Sequence, residues 1–229
     1  MQVKAGTVRH VRHPLWVRLA HWLTAAAFLT LAVSGFAILL ALPRLFWGET
    51  GAIGAPAWVV LPLPINTDQT GWGRNLHFLS AWIFVITGVF YLLAIFLGGR
   101  LRRRLLPERD QLGAMHLLSE VQRHLRPDAS EAATADTRYN ALQKLAYLVV
   151  IFILAPVMLL SGLTMSPGVT AAFPELFGLF SGRQSARTVH FMSACLLLAF
   201  LVVHIWQVLA NDAASLMLGM LTGRGGRRS

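Results

Sequence analysis

The chain has 229 residues, 55% of them hydrophobic and only 13% charged, with a mean hydropathy of +0.58 and a formal net charge of +10. That balance excludes an ordinary soluble domain and points to a membrane protein. The basic surplus hugs the ends of apolar runs rather than covering one face, which argues against an RNA- or DNA-binding surface.

Four uncharged runs, at 19–43, 75–99, 145–174 and 188–211, each exceed the ~20 residues a helix needs to cross a bilayer. They predict an all-α integral membrane four-helix bundle, a single domain with spans at about 16–42, 75–98, 142–165 and 187–210. The first run is too long for the apolar region of a signal peptide and has no obvious small-residue cleavage site, so it reads as a span. Between spans one and two, the apolar patch 52–65 contains Pro56, Pro62 and Pro64. Each proline removes a backbone donor that lipid cannot replace, so this patch is expected to be an external loop.

Lys4, Arg9, Arg12 and Arg18 precede the first span, Arg100, Arg102, Arg103 and Arg104 follow the second, and Arg224, Arg227 and Arg228 end the chain. The positive-inside rule then places both termini and the central loop, about 99–141, in the cytoplasm. The loops at about 43–73 and 166–186 are poor in charge and fall outside. Leu112, Met115, Leu118 and Val121 recur at helical spacing, which suggests an interfacial segment within the central loop. Cys195 is the single cysteine and lies mid-span, so there is no disulfide, no iron–sulfur ligand set and no thioether-linked haem motif.

Topology sorts the eight histidines. His10, His13, His116 and His124 fall in polar segments and read as solvent-exposed; His21, His77, His190 and His204 fall within the spans. An intramembrane ionisable residue is a functional candidate, with interhelical hydrogen bonding as the structural alternative. His190 and His204 are fourteen residues apart, which on a helix is roughly 21 Å of rise and a return to nearly the same face. His77 and His190 each follow an arginine at the external start of a span, whereas His21 and His204 lie toward the cytoplasmic side. Two layers of two imidazoles result, His77 with His190 and His21 with His204. Structural zinc wants four protein ligands and catalytic zinc usually three, whereas haem needs two axial ones. The ligand count therefore favours two haems b, with copper or another metal as the lesser alternative.

Arg18, Arg74 and Arg187 each precede a candidate ligand by three residues and are candidate propionate partners, although ordinary positive flanking accounts fully for Arg18. Gly35 and Gly88 return to the faces of His21 and His77 at the depth of the opposite layer, where a missing side chain leaves room for a macrocycle; small-residue helix packing is the alternative.

The segments Arg18-Leu-Ala-His21-Trp22, Tyr139-Asn140-Ala-Leu-Gln143-Lys144 and Gln184-Ser-Ala-Arg187-Thr-Val-His190, with the fourteen-residue pair, resemble the four-helix bacterial di-haem cytochromes b. That group includes the membrane subunits of nickel–iron hydrogenases, formate dehydrogenases and thiosulfate reductases, and small stand-alone ubiquinol-oxidising cytochromes. The resemblance extends over all four spans and is closest to the thiosulfate-reductase type. It implies a bacterial inner-membrane electron conduit between the quinone pool and a periplasmic redox partner, of the molybdopterin-enzyme or hydrogenase kind. It also implies a quinone site near the cytoplasmic haem, for which Asn140, Gln143 and Lys144 are candidates, against simple capping of a helix start. Trp47, Trp58 and Trp72 in the first external loop suit a docking face for that partner, or an aromatic belt in the headgroups. Three rivals remain at this stage: a stand-alone quinol-oxidising cytochrome, a haem-free transporter or sensor, and a structural anchor.

Overall fold

The structure, a computed structural model, describes residues 14–49, 55–98, 113, 141–210 and 213–223. The interfacial segment expected around Leu112–Val121, the basic clusters expected to be cytoplasmic (Arg18 excepted) and Asn140 lie outside the described residues, apart from Gly113. In chain order the elements are α1 (Leu15–Ala41), β1 (Arg44–Leu45), β2 (Val59–Val60), α2 (Thr70–Leu97), α3 (Ala141–Val149), a π-helical stretch (Val150–Leu154), α4 (Ala155–Thr164), α5 (Pro167–Ala172), α6 (Glu175–Phe180), α7 (Arg183–Ala210) and α8 (Ala213–Thr222). Four helices, Leu15–Ala41, Thr70–Leu97, Leu142–Thr164 and Arg183–Ala210, are long and apolar enough to cross a membrane. The second and fourth begin four to five residues ahead of the expected starts at 75 and 187.

The interior inverts the pattern of a water-soluble core. The largest fully buried side chains are Thr164, Thr188, Ser34, Ser161 and Ser185, whereas Leu19, Leu29, Phe78, Trp82, Phe90, Val202 and Trp206 are exposed. Between helices in lipid there is no hydrophobic gain from burying a leucine; small residues let backbones approach, and hydroxyls find partners across or along the helix.

Two compact units divide the chain, one of Met1–Pro43, Leu61–Tyr91 and Leu198–Ser229, the other of Arg44–Val60 and Leu92–Leu197. In the first, α1 and α2 run antiparallel: Trp16 meets Tyr91, Phe28 meets Phe84, Thr30 Oγ1 donates to Ser80 Oγ at 2.8 Å, and Gly73 sits against Ala37 and Ile38. At the other end of this unit the C-terminal carbonyls of α8 accept hydrogen bonds from α1, from Arg18 Nε and Trp22 Nε1 to Met220 at 3.2 and 3.3 Å and from Arg18 Nη2 to Leu221. Those late carbonyls have no partner within their own helix, so the arginine serves as a C-terminal cap.

In the second unit the third span is not one uniform helix. Pro156 has no N–H for the carbonyl four residues back, and its ring crowds that residue. Widening the preceding turn into the π-helical stretch Val150–Leu154, closed by Ala155 N–H on the Val150 carbonyl, keeps the apolar segment hydrogen-bonded. The apolar run continues to residue 174, but the span ends at Thr164, because Ser166 is extended ahead of Pro167 and a short new helix begins. Among the described residues between the first two spans there is an antiparallel ladder pairing Arg44 with Val60 and Leu45 with Val59. Its strands lead into a tight contact at Gly182, where φ is +116° and a Cβ would fall 2.6 Å from the Gly48 carbonyl, so no other residue fits there. Thr188 Oγ1 donates to the Phe46 carbonyl at 2.7 Å, and Gly48 N–H donates to Ser185 Oγ at 2.6 Å, which fastens this loop to the start of α7.

Candidate metal centre

The four intramembrane histidines occupy two kinds of setting. In the first unit, His21 on α1 and His204 on α7 have ring centroids 6.5 Å apart. Trp22 lies edge-on to His21 at 5.3 Å, and Phe200, one turn before His204, stacks on it at 6.1 Å and 18°. Aromatic neighbours at these distances restrict the rings' rotation. Two metal–nitrogen bonds of ~2.0 Å, plus about 1 Å from nitrogen to ring centre at each side, require roughly 6 Å between centroids. The observed separation leaves room for one metal ion between the two imidazoles.

His77 and His190 are held differently. In the first unit, His77 Nδ1 lies 3.0 Å from Ser34 Oγ and also engages the Leu31 backbone. In the second unit, His190 Nδ1 lies 3.1 Å from Ser161 Oγ and 3.0 Å from the Met158 carbonyl. Each serine is followed by a glycine: a Cβ on Gly35 would stand 3.4 Å from His77 Cε1, and one on Gly162 would stand 3.3 Å from His190 Cε1. The rings thus lie against bare backbone. A carbonyl can only accept, so Nδ1 of His190 carries the proton. Ser161 Oγ donates its own proton to Val157 O at 2.7 Å, and Ser34 Oγ to Thr30 O at 2.6 Å, leaving each hydroxyl oxygen to accept from the imidazole. This tautomer frees the Nε2 lone pair for a metal.

The candidate arginines part company. Arg18 caps α8 as described, Arg187 donates to the Arg44 carbonyl at 2.9 Å, and Arg74 is exposed. Lys144 is buried and Gln143 half-buried in the first turn of α3, and both are engaged by neighbouring groups. Gly35 faces the His77 ring, so the room expected there for a macrocycle is bounded by an imidazole, whereas Gly88 has no neighbour within 4 Å. Among the described residues no group of three or more His, Cys, Asp or Glu side chains converges, as a zinc site would need.

Residues 12–223 match the family described as prokaryotic cytochrome b561. The chain belongs to this family. It is also 32% identical over 196 residues, 86% of this chain and 89% of the relative, to a protein of Azospira oryzae that carries the name of a candidate protein-methionine-sulfoxide reductase subunit, YedZ1. A cytochrome b561-type protein is a membrane haem protein of electron transport that binds haem b, and with four spans this one is a multi-pass protein of the bacterial inner membrane. Paired imidazoles are the donor set such a haem takes, and Gly35 and Gly162 let the His77 and His190 rings lie close against a neighbouring helix, where a Cβ would stand 3.4 and 3.3 Å from them.

What sequence reasoning missed in this cytochrome b561 chain is that Ser34, Ser161 and Gly162 contact the candidate ligands His77 and His190. The signal was present as a repeated pattern, Leu31-x-x-Ser34-Gly35 in the first span and Met158-x-x-Ser161-Gly162 in the third. Serine–glycine pairs are common in membrane helices for packing alone, and only the neighbouring histidine gives this one a chemical meaning.

Proposed function

We propose that this cytochrome b561-type chain is a membrane subunit carrying electrons from quinol to a periplasmic oxidoreductase through two haems b. His21 and His204 hold one, toward the cytoplasm, and His77 and His190 hold the other, toward the periplasm, with both termini cytoplasmic. The observation that carries the reading is the 6.5 Å approach of the His21 and His204 rings, contributed by the first and last spans of a cytochrome b561 chain.

A haem b held by these imidazoles would supply one-electron chemistry. The chain's own residues hold, orient and insulate. Serine and backbone acceptors set the His77 and His190 tautomers; Trp22 and Phe200 pack beside the other pair. Gln143 and Lys144, in the first turn of the third span, would with Asn140 supply hydrogen bonds to a quinone head group. Substrate chemistry then belongs to the partner, for which the relative's name suggests a methionine-sulfoxide-reducing enzyme, of the molybdopterin type implied by the sequence resemblance. The balance closes: a quinol gives up two electrons and two protons, and a sulfoxide takes up two of each to become a thioether and water.

Affinity purification of the full chain from membranes tests this directly. A periplasmic oxidoreductase should co-purify, and quinol should reduce the b-type α band. Absence of any partner with quinol oxidation intact would move the chain to the stand-alone class.

A further inference from the structure

Ser34 and Ser161 are buried at 0% exposure, deep in spans where a hydroxyl could be satisfied by its own helix. Each does donate to its own helix, to Thr30 O and Val157 O, but each also stands at hydrogen-bond distance from a histidine on a different helix. The arrangement occurs twice with the same internal order: a backbone contact at the residue three before the serine, the hydroxyl, then a glycine against the ring. Helix packing alone explains a buried serine once. It does not explain why two unrelated stretches of sequence place a proton acceptor on Nδ1 of an imidazole and clear the surface beside Cε1.

We propose that Ser34 and Ser161 are positioning residues that fix His77 and His190 as Nδ1–H tautomers and, by polarising that N–H, make both rings stronger electron donors. The proposal rests on the reading that these two histidines ligate one haem. Hydrogen bonding at Nδ1 raises the basicity of the opposite nitrogen, and a more basic axial ligand favours the oxidised iron, which lowers the reduction potential. Both serines act in the same direction on one centre. A potential held down at that centre keeps it able to pass electrons onward to the partner.

The test is a potentiometric titration of the α band on the purified, haem-loaded full chain, comparing wild type with the double variant Ser34→Ala/Ser161→Ala. The expected result is two haems retained, one midpoint potential raised and the other unmoved, with the raised value restored by Ser34→Thr/Ser161→Thr, which keeps both hydroxyls. Two retained haems with both potentials unchanged, or both shifted equally, would overturn the proposal. Should the double variant lose both haems, the single alanine variants, each with one hydroxyl and both backbone acceptors in place, give the same readout. His77→Ala separates the proposal from the reading beneath it: two haems remaining in that variant would contradict the ligand assignment, whereas a one-haem product leaves the serine test to stand or fall by the titration.

Discussion

His21 and His204 meet across aromatic surroundings, whereas His77 and His190 each lean on a serine hydroxyl, a backbone group and a glycine of a neighbouring helix. One setting restrains its rings by stacking and edge contacts, which leave protonation at the ring nitrogens to other forces. The other restrains them by hydrogen bonds that select a tautomer. The lesson is that histidines on apolar helices of one kind stand in settings set apart by what lies behind them.

The largest effect expected from disturbing this contrast is at the proposed ligands themselves. His204→Ala and His77→Ala should each reduce quinol-driven electron delivery to a periplasmic acceptor to background, because a two-centre conduit fails when either centre is lost; stopped-flow reduction of the acceptor reads this. Next comes the glycine surface. Gly162→Leu and Gly35→Leu push a branched side chain into rings already at 3.3 and 3.4 Å from the Cβ position, an overpacking cost of ~1–3 kcal/mol that should appear as lowered haem retention in detergent.

A third, smaller effect concerns the loop above His190. Thr188→Val removes the donor to the buried Phe46 carbonyl and should lower stability by ~1–3 kcal/mol. Thr164→Val, whose hydroxyl only returns to Leu160 O on its own helix, should cost well under that, about 0.5 kcal/mol, in the same thermal-unfolding assay. The smallest effect is at Arg18. Arg18→Ala should lose about 1 kcal/mol of support for α8, read as faster proteolysis beyond residue 210, with the haem spectrum unchanged. A changed spectrum would instead favour a propionate role for this arginine.

The spans were legible because a hydrocarbon slab of fixed thickness imposes a length and a composition on any helix that crosses it, and 19–43 or 188–211 satisfy both without competition. The candidate ligands were legible for a related reason: an imidazole inside such a run is conspicuous. Finer features depended on neighbours that the sequence does not order. The turn from α4 to α5 required weighing Pro167 above a continuing apolar run. The strand pair Arg44–Leu45 with Val59–Val60 is only two residues deep, too short for any alternating pattern to announce it. Ser34 and Ser161 read as packing residues until His77 and His190 stand 3.0 and 3.1 Å away. Arg18 was singled out for its spacing to His21, yet its hydrogen bonds go to α8, two hundred residues along the chain.

The most direct measurement is the number of haems b per chain, by pyridine haemochrome against protein concentration, for the wild type and for alanine at each of His21, His77, His190 and His204. The account predicts two for the wild type and one for every single variant, with His21→Ala and His204→Ala keeping the same remaining spectrum and His77→Ala and His190→Ala sharing the other. A wild-type value of one, or variant spectra that group in any other way, would contradict it.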